Sequence, residues 1–442
     1  MKQILIVGAG RSASSLIEYL VSKSKEKNWF VTIADYDLKL AQSKVKDDQF
    51  SKAIFFDINN ISECTPEVLK ADIVISMLPA HMHILLAKEC IKHQKNMVTA
   101  SYVSKEINEL NDLAIENDII ILNEIGLDPG IDHMSAKKVI DEIIENGGEI
   151  TSFKSYCGGL VAPEFDNNPW NYKFTWNPRN VVLAGQSTAS FISNGEYKYT
   201  PYQNLFSRVN EIEVLDQGKF EAYANRDSLS YLEIYGLPNV STMLRGTLRK
   251  KGFCEAWNVF VQLGMTDDTY ELIDVEHLTW KSFIDSFLIS DSNKSIEEKL
   301  VEQLNINTDT LYKLKWLGIF DNTKIGLKSG TPAVLLQKLL ESKLSLEEND
   351  KDMIVMQHLF EYEISSQKKL LKSSLVLKGK DSLNTAMSMT VGLPVAIAVE
   401  LILEKKIKSK GVVIPVDKEI YLPVLERLEE LGIKFIEQEF KS

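Results

Sequence analysis

The chain has 442 residues, 44% hydrophobic and 25% charged, with a formal net charge of −12. Such a length buries a large core over two or three domains. The acidic balance, with no basic block to offset it, excludes a general nucleic-acid or anionic-membrane surface and leaves a small molecule as the expected partner.

Cys64, Cys90, Cys157 and Cys254 are scattered without a Cys-x-x-Cys pair, which speaks against a zinc ribbon or a secreted disulfide framework. No metal is expected. Met1-Lys2-Gln3 runs straight into an apolar strand and not into a signal peptide. Val391–Leu403, containing Pro394 and Glu400, is too short to span a bilayer. A soluble, cytoplasmic protein is expected.

Ile4–Val7 is an apolar run ending in Gly8-Ala9-Gly10-Arg11-Ser12-Ala13, after which Leu16, Ile17, Leu20 and Val21 recur at helical spacing. Strand, glycine turn and helix make a phosphate site. Glycines let the backbone approach a pyrophosphate, and the helix N-terminus offers free N–H groups. Ala13 stands where a third glycine often does. A second strand, Phe30–Ala34, ends at Asp35, about 25 residues past Gly10, near the spacing at which an acid takes the ribose hydroxyls. An acid there repels a 2′-phosphate and favours NAD over NADP; alternatively Asp35 only caps the helix starting near Asp37. Strands at Ala53–Phe56, Asp72–Leu78, Asn96–Thr99 and Ile119–Leu122 complete a Rossmann-type, doubly wound parallel sheet. Asp57 and Leu78, at the third and fourth strand ends, join the cofactor candidates.

His81 and His83 lie two apart, so a helix turns them to nearly opposite sides, and surface or helix-start histidines are expected. Ser101-Tyr102 follows the fifth strand, where the crevice opens: the phenol either handles a proton or packs on the domain edge. In Asn123–His133, Asp128 and Asp132 flank Pro129-Gly130. Locally this is a turn first, although a carboxylate on a rigid turn after a buried strand also suits proton chemistry.

Met134 to about Asn146 reads as a helix stopped by Gly147-Gly148, and Ile150–Tyr156 as a strand delivering Cys157-Gly158-Gly159, whose thiol is either core filler or reactive. Phe165–Arg179, rich in Trp and Tyr, is expected to be a long loop, packed on the surface or acting as a lid. Strands follow at Glu211–Leu215, Lys219–Ala224 and Thr242–Arg249; Arg226 and Arg245 beside them are carboxylate receptors or ordinary salt-bridge partners. Helical segments fill about 267–352. Asp352–Glu363 and Lys372–Lys378 suit a hairpin, Thr385–Leu403 is a helix, and Gly411–Ile414 is expected to fold back on the first domain.

These motifs resemble the saccharopine dehydrogenase family of the L-glutamate-forming type, also called saccharopine reductases. The resemblance rests on Gly126–His133, Ser155–Leu160 with Pro163-Glu164, Asn168-Pro169 with Tyr172–Trp176, Asn225–Ser228, Arg245–Arg249, Thr390–Pro394, and Val413–Pro415 with Ile420–Pro423. It implies a dinucleotide-binding domain at 1–125 and 390–442, a mixed α/β substrate domain at 126–266 and 352–389, and a small helical domain at 267–351. The implied reaction is reversible: saccharopine, NAD(P)+ and water give L-glutamate, α-aminoadipate δ-semialdehyde and NAD(P)H, a step of lysine metabolism. It further implies catalytic roles for Tyr102, Asp128 and Cys157, a cofactor site at Gly8, Gly10, Arg11, Ser12, Ala13, Asp35, Asp57 and Leu78, and saccharopine contacts from Ser101, Gly158, Arg226, Arg245 and Thr247. A homodimer is what the family suggests. Asp35-Tyr36 departs from the basic residue usual in NADP-using members and inclines the expectation to NAD(H). The alternatives are reductive amination of a polyamine precursor, as in carboxynorspermidine synthase, and a nucleotide-sensing regulator without chemistry. A cationic amine calls for acids where Arg226 and Arg245 stand, and the joint presence of Tyr102, Asp128 and Cys157 argues against the regulator.

Overall fold

The computed structural model describes residues 1–45 and 49–441. They form two compact units, Met1–Gly147 with Leu377–Phe435, and Gly148–Val376 with the segment from Ile436 on.

In the first unit, β1 (Lys2–Val7), β2 (Trp29–Asp35), β3 (Ser51–Phe55), β4 (Ile73–Ser76), β5 (Asn96–Thr99) and β6 (Ile120–Leu122) are joined by a late strand, Gly411–Val413. The sheet runs Gly411–Val413, β6, β5, β4, β1, β2, β3, all parallel. Helices cover both faces, so Ile4–Val7 and Ile73–Ile75 are buried on both sides, as unbroken apolar runs in a parallel sheet must be. The order reverses between β1 and β4, which places a ligand crevice at the C-terminal ends of these strands.

The helix Ala386–Leu403 packs on the helix Ser14–Lys27. It begins earlier than the apolar run alone suggested and is long and apolar enough, by length and composition, to cross a membrane, yet 89% of it is buried in the protein. Gly392 makes the approach possible: a Cβ there would lie 2.9 Å from the Leu16 amide nitrogen and 3.1 Å from the Ser12 carbonyl. At the other end of this contact Glu400, its side chain 3% exposed, accepts from the Tyr19 hydroxyl at 2.7 Å and meets Lys23 at 3.2 Å and Lys27 at 2.9 Å.

In the second unit β7 (Glu149–Val161), β8 (Ala189–Ser193), β9 (Glu196–Thr200), β10 (Asn210–Glu213), β11 (Lys219–Ala224) and β12 (Thr242–Arg249) build a mixed sheet with three later strands. Its order is β10, β11, β12, β7, Asp352–Ile364, Gln367–Lys378, Ile436–Lys441, with β8 on β12 and β9 on β8. The β7–β12 pairing is parallel, while β10–β11, β11–β12, β7 with Asp352–Ile364, and Gln367–Lys378 with Ile436–Lys441 are antiparallel. The expected hairpin is present, turned by Ser365 and Ser366 at φ 50° and 60°, the left-handed pair that a two-residue hairpin requires.

Several expectations need correction. Cys157-Gly158-Gly159 lies inside β7 and not beyond its end, because β7 continues to Val161. The aromatic segment is neither lid nor surface loop: Trp170, Tyr172 and Phe174 are fully buried against the helix Phe253–Gln262. The helices Trp280–Asp285, Ile296–Leu304, Thr308–Leu317 and Pro332–Leu344 share that same core, so 267–351 is continuous with the second unit. The boundary at 125 shifts to Gly147, since the helix Ile131–Glu145 packs on Lys418–Glu430 and Tyr421 donates to Asp141 at 2.6 Å. Ile436–Lys441, placed with the first domain by the sequence reading, pairs antiparallel with Gln367–Lys378 in the second sheet, satisfying backbone groups that an uncovered edge would leave open.

Burial alone would raise the Glu400 carboxyl, but hydrogen bonds from Tyr19, Lys27 and Lys23 overcome it and bring it from 4.5 down to about 2. A depressed carboxyl stabilises the fold above its unfolded value and loses that contribution as pH falls through the folded one. Melting temperature should therefore drop between pH 4.5 and about 2. Glu400→Gln, which leaves two lysines facing an amide, should cost about 3 kcal/mol at neutral pH and flatten this acid limb. A titration of melting temperature against pH on both proteins reads the two effects together.

Candidate active site

The crevice of the first unit is built on the turn after β1. Gly8 donates to the Ala34 carbonyl at 2.8 Å. Its φ is +105°, and a Cβ would sit 2.7 Å from the Met77 carbonyl, so only glycine passes here. Gly10 has open space where a Cβ would stand, which leaves its backbone approachable by a pyrophosphate. Arg11–Ala13 form a single 3-10 turn and the α-helix starts at Ser14, later than the motif alone suggests. Arg11 is exposed, Ser12 half-buried and Ala13 buried.

Asp35 ends β2, and both its carboxylate oxygens are engaged: Oδ2 accepts from the Ala9 amide at 2.7 Å and Oδ1 from the Asp37 amide at 2.8 Å. The acid thus ties the glycine turn to the end of β2. It does not cap the next helix; Asp37 does, accepting from Lys39 and Leu40. Asp57 turns back on its own loop, accepting from the Asn59 amide and side chain at 3.0 and 3.1 Å, and Leu78 packs half-buried against the core of this unit.

At the ends of β4 and β5 the structure shows a chain the sequence did not. Ser76 Oγ lies 2.7 Å from His83 Nδ1, and His83 Nε2 lies 2.7 Å from Ser101 Oγ. His83 is buried at the start of its helix, and this burial, with His81 adding to it, pulls the imidazole down to about 4. A neutral ring has one donor and one acceptor, so one serine donates to it and the other accepts. His81 is exposed and His83 begins its helix, as expected, though the His83 side chain is buried.

Tyr102 follows, and its hydroxyl donates to Asp128 Oδ1 at 3.2 Å. Asp128 stands half-buried on a turn with a cis peptide bond to Pro129, closed by Gly126 N–H to the Pro129 carbonyl at 2.9 Å and Ile131 N–H to the Gly126 carbonyl at 2.8 Å. Gly130 is at φ +145°, with Gly126 backbone where a Cβ would be. Its amide donates to Asp132 Oδ1 at 2.7 Å, so Asp132 shapes the turn from within.

Behind both loops lies Glu124, buried and held at φ 55°. Oε1 accepts the Val103 amide at 3.0 Å and Oε2 meets His133 Nε2 at 2.9 Å; His133 Nδ1 is 3.6 Å from Asp132. One buried acid therefore links the loop of Tyr102 to the helix that follows Asp128. In the sequence His83 stands out only by its spacing from His81, and Glu124 not at all. A left-handed, non-glycine residue in a functional loop is the signal that finds Glu124, and it exists only in the backbone.

The second unit holds the remaining candidates on and beside β12. Cys157, buried in β7, is the register partner of Thr247. Gly158 leaves no room for a side chain, since a Cβ would fall 2.7 Å from the Leu248 carbonyl. Arg245 is buried with its guanidinium 4.5 Å from the centre of the Tyr231 ring. Its amide donates to Ser228 Oγ and its carbonyl accepts from Asn225, fastening the Asn225–Ser228 turn to β12. Arg226 is exposed on that turn at φ 48°.

Residues 4–122 match the family described as the saccharopine dehydrogenase NADP binding domain, and residues 126–433 the saccharopine dehydrogenase C-terminal domain. The chain is 36% identical over 451 residues to saccharopine dehydrogenase [NADP(+), L-glutamate-forming] of Schizosaccharomyces pombe, covering 99% of both. It belongs to the saccharopine dehydrogenase family. The alignment with mitochondrial alpha-aminoadipic semialdehyde synthase of Bos taurus, also 36% identical, takes 99% of the chain but 48% of that longer protein. The structure of apo saccharopine dehydrogenase (L-Glu forming) from Saccharomyces cerevisiae superimposes with a TM-score of 0.89 at 34% identity, covering all of both chains. Like other members of this family the chain carries a nicotinamide-dinucleotide domain, and Gly8, Gly10 and the start of the Ser14–Lys27 helix are the residues suited to hold the pyrophosphate.

Gly8→Ala should cost about 1–3 kcal/mol from the disfavoured backbone alone and weaken dinucleotide binding. Thermal melting with and without NADH or NADPH measures both.

Proposed function

We propose that the chain catalyses the reversible oxidation of saccharopine, with water, to L-glutamate and α-aminoadipate δ-semialdehyde. The observation that carries this reading is the 3.2 Å hydrogen bond between Tyr102 and Asp128, a phenol and a carboxylate paired at the strand ends of a dinucleotide domain. A bound nicotinamide would take hydride from the carbon beside the secondary amine. The resulting imine adds water, and the carbinolamine collapses to release the amine of glutamate. Each of these later steps moves a proton, and a carboxylate backed by a phenol can pass it between water and nitrogen. Saccharopine carries three carboxylates; Arg226 and Arg245 are the receptors we infer for two of them, because guanidinium groups pair with carboxylates bidentately, and Thr247 and Gly158 of the second unit and Ser101 of the first are further proposed contacts. Cys157 is the third residue of the proposed chemistry.

Asp128→Ala should lower kcat by roughly 10²–10⁴-fold while leaving dinucleotide affinity unchanged. An unaltered rate removes Asp128 from proton transfer, and absence of dinucleotide reduction with saccharopine sinks the whole reading.

We further infer a preference for NAD(H), supported by the position of Asp35. Two backbone amides fix its carboxylate, so its charge cannot swing away from a 2′-phosphate. Comparing kcat/KM for NAD+ and NADP+ should favour NAD+, and Asp35→Ser should narrow the ratio. A wild-type preference for NADP+, the cofactor in the name of the S. pombe relative, overturns this assignment.

A further inference from the structure

Ser76 ends β4, His83 begins the helix His83–Lys92, and Ser101 follows β5; the imidazole stands between the two hydroxyls, 2.7 Å from each. Ser76 and His83 are 0% and 1% exposed, whereas Ser101 is half-buried. That difference decides where the protons sit.

A hydroxyl has one hydrogen to give, and a neutral imidazole has one N–H and one lone pair. If Nδ1 carried the proton, it would donate to Ser76 Oγ and leave the Ser76 hydrogen with no acceptor, since among the described residues Ser76 Oγ has no partner but His83. Sealed from solvent, that hydrogen would bear the full cost of desolvation. With the proton on Nε2, Ser76 donates to Nδ1 and Nε2–H donates to Ser101 Oγ. The hydrogen left over then belongs to Ser101, the one hydroxyl of the pair within reach of solvent. Burial thus selects the Nε2–H tautomer, because the bond made by one ring nitrogen sets the state of the other.

The Ser101 backbone is pinned as well: its amide donates to Thr99 Oγ1 at 3.3 Å and its carbonyl accepts from the Glu124 amide at 3.0 Å. Only the side chain is left to turn, and Nε2–H holds its oxygen. An ionised carboxylate accepts hydrogen bonds and gives none, so a serine can bind one only by presenting its hydrogen. The tautomer of His83 makes that presentation obligatory.

We propose that His83 is a positioning residue: as the Nε2–H tautomer set by Ser76, it donates to Ser101 and so leaves the Ser101 hydroxyl as a donor to a carboxylate oxygen of the substrate. The identity of that acceptor rests on the saccharopine reading. His83 itself is too deeply buried to touch substrate.

The test uses the full chain. Nitrogen NMR on protein with isotopically labelled histidine, with His83 identified among the six histidines as the signal that His83→Gln removes, should show Nε2 protonated and Nδ1 bare at neutral pH. A protonated Nδ1 overturns the proposal. In kinetics His83→Asn, too short to reach Ser101, should raise KM for saccharopine about 10-fold with dinucleotide affinity unchanged. His83→Gln, which places an N–H where Nε2 stood, should stay within about 3-fold of wild type. Ser101→Ala should match His83→Asn, and combining those two should be no worse than the worse of them, because both remove the same donor. Effects that multiply in the combined variant overturn the proposal, as does a KM that neither His83→Asn nor Ser101→Ala moves, or a weakened dinucleotide affinity with KM unchanged. If His83→Asn fails to fold, the wild-type tautomer and Ser101→Ala decide: Nε2–H with a raised KM supports the assignment, and an unchanged KM overturns it. Should wild type turn over no saccharopine, the saccharopine reading falls, while the tautomer still upholds or overturns the role of His83.

Discussion

A single buried carboxylate organises the reactive end of the first unit. Glu124 accepts the Val103 amide with one oxygen and faces His133 with the other, so the loop after β5 and the turn before the Ile131–Glu145 helix cannot move independently. The hydrogen bond between Tyr102 and Asp128 spans those same two segments. Its geometry is inherited from Glu124, which accepts a left-handed backbone to reach both partners. Strain of that kind persists only where the surroundings hold it in place, and here they do: Asp132 secures the Gly130 amide and His133 is wholly buried.

The same economy appears around the dinucleotide turn, where Asp35 holds the Ala9 amide and Met77 leaves no space beside Gly8. In both places a carboxylate, rather than apolar packing, sets the position of a loop at a strand end. Apolar burial sets the strands; charge and hydrogen bonds set what the strands deliver. Desolvation then tunes the groups, as with His83, whose ring between Ser76 and Ser101 is held neutral by burial.

The parallel sheet was legible from residue order, because apolar runs buried on both faces, glycine turns and acid-terminated strands are local patterns. Tyr102 and Asp128 were legible as candidates but not as partners: their hydrogen bond joins residues 26 apart in sequence. The Trp170–Trp176 segment was misread, since it lacks periodicity and its burial depends on helices far later in the chain. Trp170 Nε1, for example, donates to the Lys313 carbonyl. The hairpin of β8 and β9 escaped notice because β9, Glu-Tyr-Lys-Tyr-Thr, is almost wholly exposed and shows no buried face.

The late strands carry a consequence for biosynthesis. Gly411–Val413 is the outermost strand of the first sheet, paired on β6, and Ile436–Lys441 that of the second, paired on Gln367–Lys378. A chain emerging from the ribosome N-terminus first therefore leaves β6 and Gln367–Lys378 unpaired on one side until these late strands have been made. Pairings so distant in sequence are slow to form, and open edges invite association with other chains. Neither sheet is thus complete before its late strand has been made.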